Sequence, residues 1–193
     1  PGPRPDLLRR PLVLLVACGM AITRIRTLTV TLGLTAALLA TPNAFATEPE
    51  FQLQGNVLTL PSPITFNAGG AELEPQSEPA LDYIRRYLAA RPAVTLMRIE
   101  GHTNSQGSDT HNQALSEQRA LAVARWLVAK DVDCHRLIPV GFGETKPMAP
   151  NDTPDGAAKN RRIELVNTAL RGRAIGGMPT DGGGKVAGDP CAQ

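Results

Sequence analysis

Apolar residues recur at helical spacing in two stretches of the chain, and the gaps between them read as strands. Between Glu74-Pro75 and Ala90, Leu81, Ile84 and Leu88 fall on one face with Tyr83 and Tyr87 alongside, which predicts an amphipathic helix. Arg91-Pro92 stops it, because proline disfavours a helical residue before it. Val94 to Glu100 predicts a strand that runs into the polar loop "GHTNSQGS". Ser108 or Asp109 can cap a second helix that continues to about Lys130. Ile64 to Phe66, before a Gly69-Gly70 turn, predicts a brief first strand. "RLIPVGFGE", bounded by Gly141 and Gly143, predicts a third strand, and Arg162 to Asn167 a last one after a short helical turn. The order β-α-β-α-β-(α)-β predicts an α/β (α+β) sandwich, two long helices packed on one face of a small mixed sheet. There is no series of amphipathic strands that could close a membrane barrel.

The ends read differently. "MAITRIRTLTVTLGLTAALLATPNAFA" has the outline of a secretory signal: Arg24 and Arg26, an apolar run from Leu28 to Ala40, then the small-x-small site Ala44-Phe45-Ala46. Residues 1–46 are therefore expected to be an upstream extension and signal peptide, with the start at Met20 and cleavage after Ala46. The alternative is a lipoprotein signal in "RRPLVLLVAC" that ends at Cys18, which would put a lipid on that cysteine and the protein on a membrane. Residues 47–57 read as a linker, 58–168 as the folded domain, and 169–193 as a Gly-rich tail expected to be disordered, since it buries too little apolar surface to offset its ordering entropy.

Removing residues 1–46 changes the charge. They hold five of the 20 basic groups and one of the 18 acidic groups, so the rest has a net charge of −2. A mildly acidic domain has no electrostatic drive toward nucleic acid. Cys134 and Cys191 remain; in an oxidising compartment they form a disulfide, or they are a buried thiol and a tail thiol that never meet.

Candidate chemistry centres on the second helix. Arg119 lies four residues after Leu115 and four before Val123, in a mostly apolar column. A guanidinium there needs a partner, pairs with a nearby Glu, or snorkels to the surface. With the free N–H groups of the helix start and the short polar groups Thr103, Asn104, Ser105 and Asn112, it suits a ligand bearing a carboxylate. His102, His111 and His135 have no metal-ligand spacing, and no nucleophile has an evident base, so neither a metal, a cofactor nor an enzyme activity is expected.

"IEGHTNSQGSDTHNQALSEQRALAVARWLVAKDV", "RLIPVGFGETKPMAPNDT" and "NRRIEL" closely resemble the OmpA-like peptidoglycan-binding domain of OmpA, Pal and MotB proteins, over roughly Leu58 to Asn167. The resemblance implies a protein of the periplasm or cell envelope, with association to the outer membrane as an open alternative. Such a protein holds the diaminopimelate of the peptidoglycan stem peptide without covalent chemistry, and meets a membrane only through a lipid or a partner. It carries the gripping pair onto Asn104, where the family has Asp, and Arg119. It adds Phe66, Asn67 at a second family acid position, Thr103, Asn112, Leu115, and Arg162 as the second Arg of "NRR". An amide brings no charge to an ammonium. The change from Asp to Asn is expected to weaken amine recognition by roughly 1–2 kcal/mol, about five- to thirtyfold. The alternative is an OmpA-like interaction domain whose wall binding is weakened or lost.

Overall fold

The computed structural model describes residues 51–177 and 179–192. The expected signal peptide, its start at Met20, cleavage after Ala46 and the lipid site at Cys18 all lie outside the described residues.

The long helices form where the apolar spacing predicts them. The first opens with a 3-10 turn, Pro75–Ser77, and continues as α1, Glu78–Ala90. It buries Leu81, Ile84, Tyr87 and Leu88. Arg136 donates to the carbonyls of Leu88, Arg91 and Val94 at 2.8–3.1 Å, so one guanidinium ties the last turn of α1 to the start of β3. The second helix, α2, spans Asp109–Val128; Ser108 caps it by accepting from the His111 N–H. Its imperfect stripe has a steric reason. Gly101 and Gly141 bring the sheet so close to Ser116 that a Cβ on either would collide with it, so α2 packs with Ser116, Ala120 and Ala124 where larger residues would not fit.

The sheet is mixed. Its strands are β1 (Leu53–Gln54), β2 (Val57–Leu58), β3 (Val94–Gly101), β4 (Leu137–Gly141), β5 (Ile163–Leu170), β6 (Arg173–Ala174) and β7 (Lys185–Val186). Their order is β1-β2-β5-β3-β4-β7, with β6 also on β5. Among the described strands only β3 and β4 run parallel, joined through α2; the other pairs are antiparallel. A short helix α3, Pro154–Asn160, precedes β5. Met97, Ile99 and Leu165 pack with α1 and α2 into one apolar core. Strand alternation then puts Arg98, Glu100 and Glu164 on the opposite face. Inside the core Asn167 donates to the Tyr87 hydroxyl at 2.7 Å.

Three expectations change. The strand at Ile64–Phe66 shrinks to a single bridge, Phe66 to Leu73, because the tight 67–72 turn leaves no length to pair. The segment 47–57 is not all linker: it holds the β1–β2 hairpin, and Leu58 is buried against β5. The tail is ordered over its described residues. Here β7 pairs with β4, Arg98 donates to the Thr180 carbonyl at 2.9 Å, and a disulfide joins Cys134 to Cys191 with Cα atoms 5.2 Å apart. Entropy against apolar burial omitted what holds it: main-chain pairing, one buried cation and a covalent cross-link.

Candidate functional site

Arg119 leaves the middle of α2 and enters a cleft of about 320 Å³ bounded by Ile64, Phe66, Glu74, Ala158 and Arg161. Its Nε donates to the Gly70 carbonyl at 2.9 Å, and its guanidinium carbon stands 5.1 Å from the centre of the Phe66 ring. This is cation–π distance, so the turn after Phe66 fixes the orientation of the cation. Burial, and after it the like charge of Arg161, pull the Arg119 guanidinium below its usual range. It stays a cation at neutral pH. Among the described residues no carboxylate forms an ion pair with it. The acid in the lining, Glu74, accepts from the Gln76 amide at 2.7 Å, so two guanidiniums against one carboxylate leave the cleft net positive and suited to a carboxylate or another anion.

The loop after β3 is held from the main chain. Thr103 N–H donates to the Gly143 carbonyl at 2.8 Å, and Thr103 Oγ1 is buried without a partner among the described residues. Asn112 Nδ2 donates both to the Asn104 carbonyl, 3.2 Å, and to a Glu144 carboxylate oxygen, 2.6 Å. Asn112 therefore positions the loop. Asn104 is 5% exposed; its Oδ1 accepts from the Gln106 N–H at 3.4 Å and its Nδ2 has no partner among the described residues. A neighbouring hollow of about 440 Å³ contains Gln106, Asn151, Asp152 and Arg161, so Arg161 lines both hollows while Asn104 lines neither.

The other sequence candidates divide. Phe66 sits at the cleft; Asn67 is exposed, its amide donating to Glu72 at 2.6 Å. Leu115 is half-buried one turn before Arg119. Arg162 is not brought to Arg119: its Nε binds Glu164 at 2.6 Å and its Nη2 the Lys146 carbonyl. Arg161 stands in the cleft instead. The period of two could have found this, because Arg161 keeps phase with the core residue Leu165 and Arg162 with Glu164. Sequence reasoning also missed Glu144 as the partner of Asn112.

No helix among the described residues is long and apolar enough to cross a membrane.

Comparison with known proteins places this architecture. The chain is 39% identical over 128 residues to the peptidoglycan-binding protein ArfA of Mycobacterium tuberculosis, covering 66% of this chain and 39% of that protein. It is 35% identical over 114 residues to the probable lipoprotein YiaD of Escherichia coli, covering 59% of this chain and 52% of that one. The matches thus span well under two thirds of these relatives. The crystal structure of a putative MotB-like protein from Desulfovibrio vulgaris superposes with a TM-score of 0.52 at 27% identity, over 61% of this chain and 78% of that one. Residues 65–161, half of the chain, match the OmpA family. The chain belongs to the OmpA family.

Proposed function

We propose that this protein binds peptidoglycan non-covalently in the cell envelope and tethers itself, or a partner, to the wall. The observation that carries the reading is Arg119: half-buried, set over Phe66, beside Arg161, and without a carboxylate partner among the described residues. A ligand carboxylate supplies the missing charge. The peptidoglycan stem peptide is rich in carboxylates, and its diaminopimelate adds an ammonium that the loop around Asn104 can meet with oxygens. The relative ArfA, named as peptidoglycan-binding, supports the same ligand. The reading is of a binding module, not an enzyme. Co-sedimentation with purified sacculi tests it: the protein pellets with diaminopimelate-type sacculi, and Arg119→Ala stays in the supernatant. Equal pelleting of Arg119→Ala removes the site, and clearing of the sacculus suspension removes the non-enzyme reading.

A second reading has its own support. The amide of Asn104 is buried, its Nδ2 without a partner among the described residues, and as an amide it presents no carboxylate to an ammonium. On that reading the fold serves as an interaction domain with weak or lost wall binding. Side-by-side sedimentation with diaminopimelate-type and lysine-type sacculi separates the two, because an interaction domain pellets with neither.

A further inference from the structure

The face of the sheet turned away from the helices carries a cluster that the wall-binding cleft does not use. Register sets Glu100 on β3 directly opposite Glu164 on β5. Like charges in that relation repel. His102 follows two residues after Glu100 and is 1% exposed. Its ring lies flat on Phe142, centroids 5.4 Å apart and planes 8° from parallel, so its direction is fixed. Neither ring nitrogen has a hydrogen-bond partner among the described residues, although Nε2 is 3.3 Å from a Glu100 oxygen. A buried imidazole with Nδ1 unmet and Nε2 only near a carboxylate is costly unless something else meets it.

We propose that Glu100, His102 and Glu164 form a binding site for a divalent zinc-class cation. One donor atom from each lies within 4.8 Å of the other two. Both carboxylates are held from outside. Arg98 grips Glu100 Oε1 at 2.6 and 2.7 Å, and Arg162 Nε grips Glu164 Oε1 at 2.6 Å. Such outer contacts orient ligating groups. Arg98 is itself anchored by the Thr180 carbonyl of the tail. One imidazole and two carboxylates suit zinc or manganese, whereas magnesium and calcium take oxygen ligands alone. At bond lengths of about 2.0–2.2 Å the three donors must close together. Glu164 makes that movement, since its side chain is 30% exposed against 5% for Glu100. The two guanidiniums already balance the two carboxylates, and Lys146 sits over Phe142 nearby, so the bound cation adds charge. Affinity is therefore modest, below that of an all-anionic cage.

The test is calorimetric titration of the full, disulfide-intact chain with zinc alone, with manganese and magnesium as further arms, and a thermal melt beside each. The expected result is saturable binding of about one zinc per chain with a raised melting temperature, weaker manganese binding and none of magnesium. Glu164→Gln, at a partly exposed position, weakens zinc at least tenfold while its circular dichroism matches the wild type. His102→Gln does the same where it folds, and Glu164→Gln decides alone where it does not. His135→Ala, beside the disulfide, leaves zinc binding unchanged. No saturable binding, undiminished binding by Glu164→Gln, or loss of binding in His135→Ala overturns the proposal. Each outcome is independent of sacculus binding.

Discussion

Arg161 and Arg162 are adjacent in the chain yet serve different partners: Arg161 shares the cleft with Arg119, while Arg162 binds Glu164 at 2.6 Å. The division follows from the strand that begins at Ile163, where successive side chains leave on opposite sides.

Charge reversal separates the two roles. Arg161→Glu sets an acid beside Arg119, supplies it with an internal partner and removes a cation from the cleft. Sacculus affinity is expected to fall roughly tenfold, the order of a close charge pair lost and another reversed. Arg162→Gln leaves affinity within about twofold and lowers thermal stability, because Glu164 and Glu100 then face each other with less positive charge. Quantitative sedimentation on both variants checks this; a larger loss for Arg162→Gln reverses the assignment.

Arg119→Lys tests whether charge alone suffices. Lysine keeps the cation but cannot reproduce the planar contact with Phe66 or the Nε–H to Gly70 that aims the remaining N–H groups. Affinity is expected to fall about tenfold, between wild type and Arg119→Ala. Full retention by the lysine variant would mean that the cleft reads charge without geometry.

Much of this was legible from sequence, for identifiable reasons. Leu81, Ile84 and Leu88 announced α1 because a single apolar face packs on the core at the helical period. α2 was harder to orient, since close approach of Gly101 and Gly141 replaces large apolar residues with Ser116 and Ala120. Arg119 stood out because a cation in an apolar column needs a reason. The Glu100, His102 and Glu164 cluster was invisible: Glu164 comes from a strand paired across the sheet with the one that carries Glu100 and leads into His102, so no linear spacing records it. Order in the tail was hidden for the same reason. Its fixing points, Arg98 and Cys134, are 82 and 57 residues distant in sequence.

The glycine contact gives a stability prediction. Gly101→Ala drives a methyl into the Ser116 carbonyl, main chain that cannot rotate away. The variant is expected to lose about 1–3 kcal/mol, the range for overpacking a tight site. Urea unfolding measures it, and a cost below about 0.5 kcal/mol would show that α2 shifts freely.

Asn104→Asp restores a carboxylate to the loop. The Gln106 N–H already points at this side chain, at 3.4 Å, and becomes a donor to a charged acceptor. If the ligand offers an ammonium, affinity for diaminopimelate-type sacculi rises roughly five- to thirtyfold, the difference between a charged and a neutral hydrogen bond. The site is 5% exposed, so the new charge also carries a desolvation cost that lowers the melting temperature in the absence of ligand. Affinity up and free-state stability down together are the signature. Unchanged affinity points to a ligand that presents no ammonium here.

The disulfide gives the last prediction. Cys134 follows α2 and Cys191 is followed by two residues, and their bond spans a sequence separation of 57. A loop of that size restricts the unfolded chain by roughly 4 kcal/mol on the loop-closure model, an upper figure for what reduction removes. The other tail fixings are small by comparison: the two-residue β7, the Arg98 bond to Thr180, and a partly exposed ion pair from Lys185 to Glu117 at 2.9 Å. Reduction, or Cys134→Ser with Cys191→Ser, should therefore lower the melting temperature by several degrees and free the tail first. Limited proteolysis would then cut the Gly-rich segment near Gly182–Gly184 while the core resists. Sacculus binding should persist, because the described cleft of Phe66, Arg119 and Arg161 includes no tail residue. A reduced protein whose tail stays protected would show that main-chain pairing on β4 suffices, and loss of wall binding on reduction would tie the tail to the cleft.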